Sequence, residues 1–126
     1  MGFINKIEAM SRGIVVLDNN IESLESFLQK RNLRVVVPPA GMQDEHIIEK
    51  LLPYRIFVTN NVRHFVSEAS SFEYGIISIP MALMADPANA AKAISDALSE
   101  HALWSKDNAF LVTISVDGKS TYKELH

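Results

Sequence analysis

Continuous β-branched apolar runs, each followed by an apolar stripe at helical spacing, predict an α/β domain with a mainly parallel sheet. The runs occupy residues Ile14–Leu17, 34–37, Ile56–Thr59 and 75–79. They are continuous rather than alternating, which marks strands covered on both faces, as in parallel sheets. A closing segment, 109–125, is apolar on either side of Asp117-Gly118, the dipeptide of a tight two-residue turn. Together these predict a three-layer α/β/α arrangement that ends in a C-terminal β-hairpin.

The elements follow in order. Phe3, Ile7 and Met10 stand at helical spacing and predict an extra N-terminal helix over residues 1–12, ended near Gly13. After the first strand, Asn19 or Asn20 is placed to cap a helix, with Glu22 in the capping-box position and Ile21, Leu24, Phe27 and Leu28 as the apolar face. The second run, 34–37, is expected to be a buried strand closed by Pro38-Pro39. Asp44 is expected to cap a helix that carries Ile47, Ile48, Leu51 and Leu52 and stops at Pro53. The third strand leads through Asn60 and Asn61, natural turn and cap residues, to a helix with Val62, Phe65, Val66 and Ala69 on one face. The fourth strand is stopped by Pro80. Asp86-Pro87 then opens a helix that continues through Ala90, Ile94 and Leu98 towards Trp104.

Composition narrows the function classes. A chain of 126 residues, 48% apolar and 21% charged, fits one folded domain over 1–126. A net charge of −3 argues against a large basic nucleic-acid surface but leaves room for a local patch. There are no cysteines, so disulfide, zinc-thiolate and thiol chemistry are excluded. The start Met1-Gly2-Phe3-Ile4-Asn5-Lys6 has no apolar stretch of signal-peptide length, and no run approaches the ~18 apolar residues of a membrane span. These features predict a cytoplasmic protein with no membrane association. Phe3, Ile4, Ile7 and Met10 form an apolar strip suited to pairing two copies into a homodimer.

In open parallel sheets, ligands bind beyond the C-terminal ends of the strands. Asp18 ends the first strand there, Asp44 and Glu45 open the helix after the second, and Asn60, Asn61 and His64 follow the third. Carboxylates that converge repel one another. A hard divalent cation removes the repulsion and accepts oxygen from Asp, Glu and Asn. Such a cation can activate water and neutralise charge on a phosphodiester. Each residue also has a plain structural role. Asp18 and Asp44 are good helix caps, the asparagines suit a turn, and His64 is a lone histidine beside core-facing Phe65.

Three segments resemble the PIN-like nuclease domains, in particular the short PIN-like proteins presumed to be toxins of bacterial toxin–antitoxin pairs. IVVLDNNI, from Ile14 to Ile21, is similar to the family's first strand with its terminal metal-binding aspartate. QDEHII, from Gln43 to Ile48, is similar to its acid-capped helix. FVTNNVRHF, from Phe57 to Phe65, is similar to its strand followed by Thr, one residue, Asn or Asp, two residues, Asp or His, then Phe. The closing FLVTISVDGKSTYKEL is also similar, so the resemblance spans residues 13–125. It implies a Mg²⁺- or Mn²⁺-dependent ribonuclease, neutralised by an antitoxin-like protein. Asp18 and Asp44, with Glu45 as a substitute third acid, would hold the metal. Asn61 would hold a metal-bound water or the phosphate, and His64 would steady the site. Asn61 stands where the short proteins usually carry aspartate.

Two other classes are weighed against this. One is a PIN-like binding or regulatory protein for RNA or protein that has lost catalysis. The other is a response-regulator receiver, which needs a phosphorylatable aspartate at the end of the third strand and a lysine after the fifth. Asn60 and Asn61 stand at the former place. A dinucleotide-binding domain is disfavoured because no glycine-rich turn follows Leu17.

Overall fold

The computed structural model describes residues 13–126, and the helix expected over 1–12 lies outside the described residues. Six strands form one sheet: β1 (Ile14–Leu17), β2 (Arg34–Val36), β3 (Ile56–Thr59), β4 (Gly75–Ser78), β5 (Phe110–Ile114) and β6 (Ser120–Glu124). Their order is β2-β1-β3-β4-β5-β6. All neighbours are parallel except β5 and β6, which pair antiparallel. The helices are α1 (Glu25–Gln29), α2 (Asp44–His46), α3 (Arg63–Phe72) and α4 (Pro87–Glu100).

Alternate residues of the central strands enter two separate apolar clusters, because successive side chains of a strand point to opposite faces. Val15, Leu17, Ile56, Val58 and Ile77 join Ile21, Leu24, Leu28, Ile94 and Leu98. Val16, Phe57 and Ile76 join Ile48, Leu52, Phe65 and Tyr74. The continuous apolar runs of β1, β3 and β4 have this cause: each is covered on both sides. The second run is the exception. β2 lies at an edge with β1 as its one strand neighbour, so Arg34 is exposed and Val35 and Val36 are only half-buried, against the expectation of a buried strand.

Helix starts differ from the sequence expectation in three places. The segment after β1 opens as a 3₁₀ helix, Asn19–Leu24, and neither asparagine caps it; its cap is Asp18, in the structural role read for that residue, whose side chain accepts the Asn20 N–H. Asp18 lies one residue earlier and still has extended backbone (φ −57°, ψ 140°), which suits a capping residue. Asp44 is the first residue of α2 rather than its cap, and Gln43 precedes it without a side-chain bond. After His46 the chain widens into a π turn, Ile47–Leu51. Val62, not Asn60 or Asn61, flanks α3, again without a side-chain bond. Asp86 caps α4 as expected, accepting the Asn89 N–H at 3.2 Å. That helix stops at Glu100, since Ala102 turns left-handed (φ 49°) before a 3₁₀ turn at Leu103–Ser105.

Two contacts fix α3 against the sheet, one to β3 and one to the residue before β4. Phe57 and Phe65 pack ring on ring at 4.5 Å between centroids, tilted by 51°. Tyr74, buried, donates its hydroxyl to the carbonyl of Phe65. Burial, reinforced by the charge of Glu68, pushes the Tyr74 phenol well above its ordinary range. One further contact sets the β4–β5 spacing. Gly75 faces the Phe110 ring, which occupies the place a Cβ would take.

Two measurements test these contacts. Tyr74→Phe is expected to cost about 1 kcal/mol at neutral pH in denaturant unfolding, the worth of one buried hydrogen bond. The folded phenol holds its proton more tightly than the unfolded one. Its contribution is therefore complete below the unfolded pKa of about 10 and declines as pH rises above it, so the gap between wild type and variant should close on the alkaline side. Gly75→Ala forces the Phe110 ring out of place and is expected to cost about 1–3 kcal/mol or more; a midpoint equal to wild type would refute the packing described.

Candidate functional site

The first five strands follow an order in which the winding of successive strands reverses between the parallel neighbours β1 and β3. Such a reversal opens a crevice at the carboxyl ends of those two strands. Leu17 pairs with Val58 in the parallel register, so Asp18 and Thr59 emerge side by side. The Asp18 N–H donates to the Val58 carbonyl at 3.0 Å, extending the ladder by one bond.

Thr59 is the polar residue with no exposed surface among the described residues. Its hydroxyl donates to Asp18 Oδ2 at 2.6 Å and accepts the Asn61 N–H at 3.0 Å. The short bond to a carboxylate is of the charge-assisted kind, roughly twice as strong as a neutral one. Asp18 Oδ1 accepts the Asn20 N–H at 3.3 Å. Both carboxylate oxygens are thus engaged by the protein, and the half-buried side chain has a set orientation. Asn19 Nδ2 donates to the Pro38 carbonyl at 2.7 Å and ties the exits of β1 and β2 together. Asn60, next to Thr59, sets its Nδ2 against Met81 Sδ, while its Oδ1 is buried without a partner.

The second group of expected site residues lies in a groove of about 580 Å³ between α2 with its π turn and α3. Asp44, Glu45 and His64 line it, joined by Glu49 and Glu68 and by Ile48 and Phe72 as apolar wall. Its walls carry four carboxylates, from Asp44, Glu45, Glu49 and Glu68, and neither lysine nor arginine. Neither Asp18 nor Asn61 lines it. The groove thus gathers Asp44, Glu45 and His64, while Thr59 links Asp18 to the Asn61 N–H. No hydrogen bond or ion pair among the described residues joins the two groups.

A hard cation such as Mg²⁺ or Mn²⁺ takes several converging oxygens. Among the described residues, no group of three or more His, Asp or Glu side chains converges closely enough to hold one. Asp18 is turned to Thr59 and Asn20, and Asp44 and Glu45 face the groove.

Thr59 was not singled out as a site residue by sequence. In the run Ile56–Thr59 it reads as one more β-branched strand residue, and although it is the threonine of FVTNNVRHF, the resemblance gave it no role. A usable signal was its place: it ends the third apolar run, as Asp18 follows the first. Glu49 and Glu68 were also missed, because only the packing of α2 against α3 puts them in one groove.

No family model, no curated protein and no solved structure matches this chain.

Removing the Thr59 hydroxyl while keeping its shape should expose its role. Thr59→Val leaves Asp18 Oδ2 and the Asn61 N–H without their partner and is expected to cost about 1–3 kcal/mol in urea unfolding. Thr59→Ser should recover most of it. A valine variant as stable as wild type would mean that the bond contributes nothing.

Proposed function

We propose that this chain is a PIN-like protein, three-layered and closed by a C-terminal hairpin, that binds a protein partner in the cytoplasm and does not cleave RNA. The observation that supports it is the division of the candidate ligands. Asp18 is hydrogen-bonded to Thr59 and Asn20 at the strand ends, while Asp44 and Glu45 line a groove with His64. A phosphodiester-cleaving centre of this family type needs those acids around one cation, as a hard metal requires.

The partner suited to the groove is a basic segment of another protein, the kind of contact an antitoxin-like regulator could make. Four carboxylates beside Ile48 and Phe72 repel a phosphate backbone and attract Lys or Arg, with apolar wall for their aliphatic stems. Pairing of two copies through Phe3, Ile4, Ile7 and Met10 is a separate expectation, independent of this groove.

A second reading keeps catalysis: a Mg²⁺- or Mn²⁺-dependent ribonuclease, acting as the toxin of a toxin–antitoxin pair, with Asp18, Asp44 and Glu45 as ligands and Asn61 and His64 beside the phosphate. What favours it is the place of Asp18 at the β1–β3 crevice, where open parallel sheets take their ligands.

Calorimetry with Mn²⁺, run beside Asp18→Asn and Asp44→Asn, separates the two. The binding proposal expects no saturable uptake in the micromolar range. It also expects an arginine-rich peptide to bind, more weakly as salt rises and more weakly still in a Glu45→Gln, Glu68→Gln double variant. Saturable Mn²⁺ binding that disappears in both aspartate variants would overturn it and restore the ribonuclease.

A further inference from the structure

We propose that Met81 is a reversible oxidation site whose state sets the Asn60 amide at the exit of β3. The inference rests on the Asn60–Met81 contact and requires neither a metal nor a bound partner.

Met81 opens the 3₁₀ turn Met81–Ala85 that follows β4, and it is 57% exposed. Methionine oxidation follows access to the sulfur. Met42 and Met84 are half-buried and pack against the two apolar clusters, so Met81 is the most exposed methionine among the described residues.

Its sulfur also has a defined neighbour. The Asn60 side-chain amide lies directly against Met81 Sδ, with Nδ2 on the sulfur side. Asn60 Oδ1 is buried and has no partner, so the sulfur contact is what orients the amide. The reversed amide would set Oδ1 against the sulfur lone pairs. A thioether is a weak acceptor, and an unsatisfied buried oxygen is unfavourable, so this clasp is weakly held. Asn60 lies between Thr59, which holds Asp18, and Asn61, whose N–H Thr59 accepts. The Ile79 N–H donates to the Thr59 carbonyl at 3.0 Å and couples the same turn to the β4 exit, two residues before Met81.

The oxidant is a hydroperoxide. A sulfur lone pair of Met81 attacks the terminal peroxide oxygen, the S–O bond forms and the O–O bond breaks. Sulfur loses two electrons, the peroxide is reduced, and the leaving oxygen takes a proton to depart as water or an alcohol. The sulfoxide oxygen is a strong acceptor where the thioether was a weak one. Because the side chain is exposed, the added polarity is solvated and does not disturb the core. The Asn60 amide then has a better partner, shifted outward by the length of the new S–O bond. A thiol-dependent sulfoxide reductase reverses the change.

The test treats the full chain with hydrogen peroxide, maps each methionine by mass spectrometry, and follows the asparagine side-chain amide resonances, with Met81→Leu as control. Met81 should oxidise several-fold faster than Met42 and Met84. The Asn60 amide pair should shift as the Met81 sulfoxide accumulates and return on enzymatic reduction. In Met81→Leu it should not respond to peroxide. Oxidation of Met81 no faster than of Met42 and Met84 would overturn the proposal. So would an unmoved Asn60 pair when Met81 is fully oxidised. Neither result bears on the partner proposal, whose Mn²⁺ and peptide titrations use unoxidised protein.

Discussion

The bond from Thr59 to Asp18 is the constraint on which the rest of this molecule depends. Thr59 has no access to water, so its hydroxyl must find protein partners or leave a costly unsatisfied group. Asp18 supplies the acceptor and the Asn61 N–H supplies the donor. One buried side chain thereby joins the ends of the two central strands and sets the start of both following segments. Asp18 in turn caps the 3₁₀ helix that leads to α1, and Asn61 leads to α3. The two apolar clusters lie against opposite faces of these strands, so this polar clasp holds the C-terminal end of an otherwise apolar centre.

The strand order has a consequence for how function can be argued. The run β2-β1-β3-β4-β5 is that of flavodoxins and response-regulator receivers, folds that carry unrelated chemistries. Architecture therefore selects the crevice and not the reaction. At the β3 exit a receiver needs an aspartate, and here Thr59, Asn60 and Asn61 stand instead. Ser115 follows β5 where a lysine would be required. The receiver reading is thus disfavoured by particular side chains, as was evident in the sequence.

What was legible in the sequence follows from which forces are local. The strands β1, β3 and β4 were readable because coverage on both faces demands unbroken apolar runs, and Ile14–Leu17 and Ile56–Thr59 have the expected ends. The edge position of β2 was not, since Val35 and Val36 look the same beside one strand neighbour as beside two. Asp18 was readable as the residue ending a strand. Its partner Thr59 was not, because register between β1 and β3 is a non-local property. Helix starts failed for a related reason. Asn19, Asp44 and Asn61 all have capping side chains, and tertiary geometry decides which, if any, bends back to the backbone. Asp18 does so, and Gln43 and Val62 stand at the other two positions without side-chain bonds.

The double engagement of Asp18 bears directly on whether it can serve a cation. To present an oxygen to a metal it would have to share or release either the Thr59 hydroxyl or the Asn20 N–H. Releasing Thr59 gives up a charge-assisted bond and leaves the buried hydroxyl the longer one to the Asn61 carbonyl at 3.2 Å, at about 1 kcal/mol. Releasing Asn20 removes the side-chain cap of the segment Asn19–Leu24, at about 1 kcal/mol. A cation supported by a dense set of ligands could offset either loss. Asp44 and Glu45, however, face the groove beside His64, and the nearest polar neighbours at the β3 exit are amides rather than carboxylates. The residues that hold Asp18 in place leave lone pairs free on both of its oxygens, while the groove gathers four carboxylates beside an apolar wall, which supports the groove as the place to look for a basic partner.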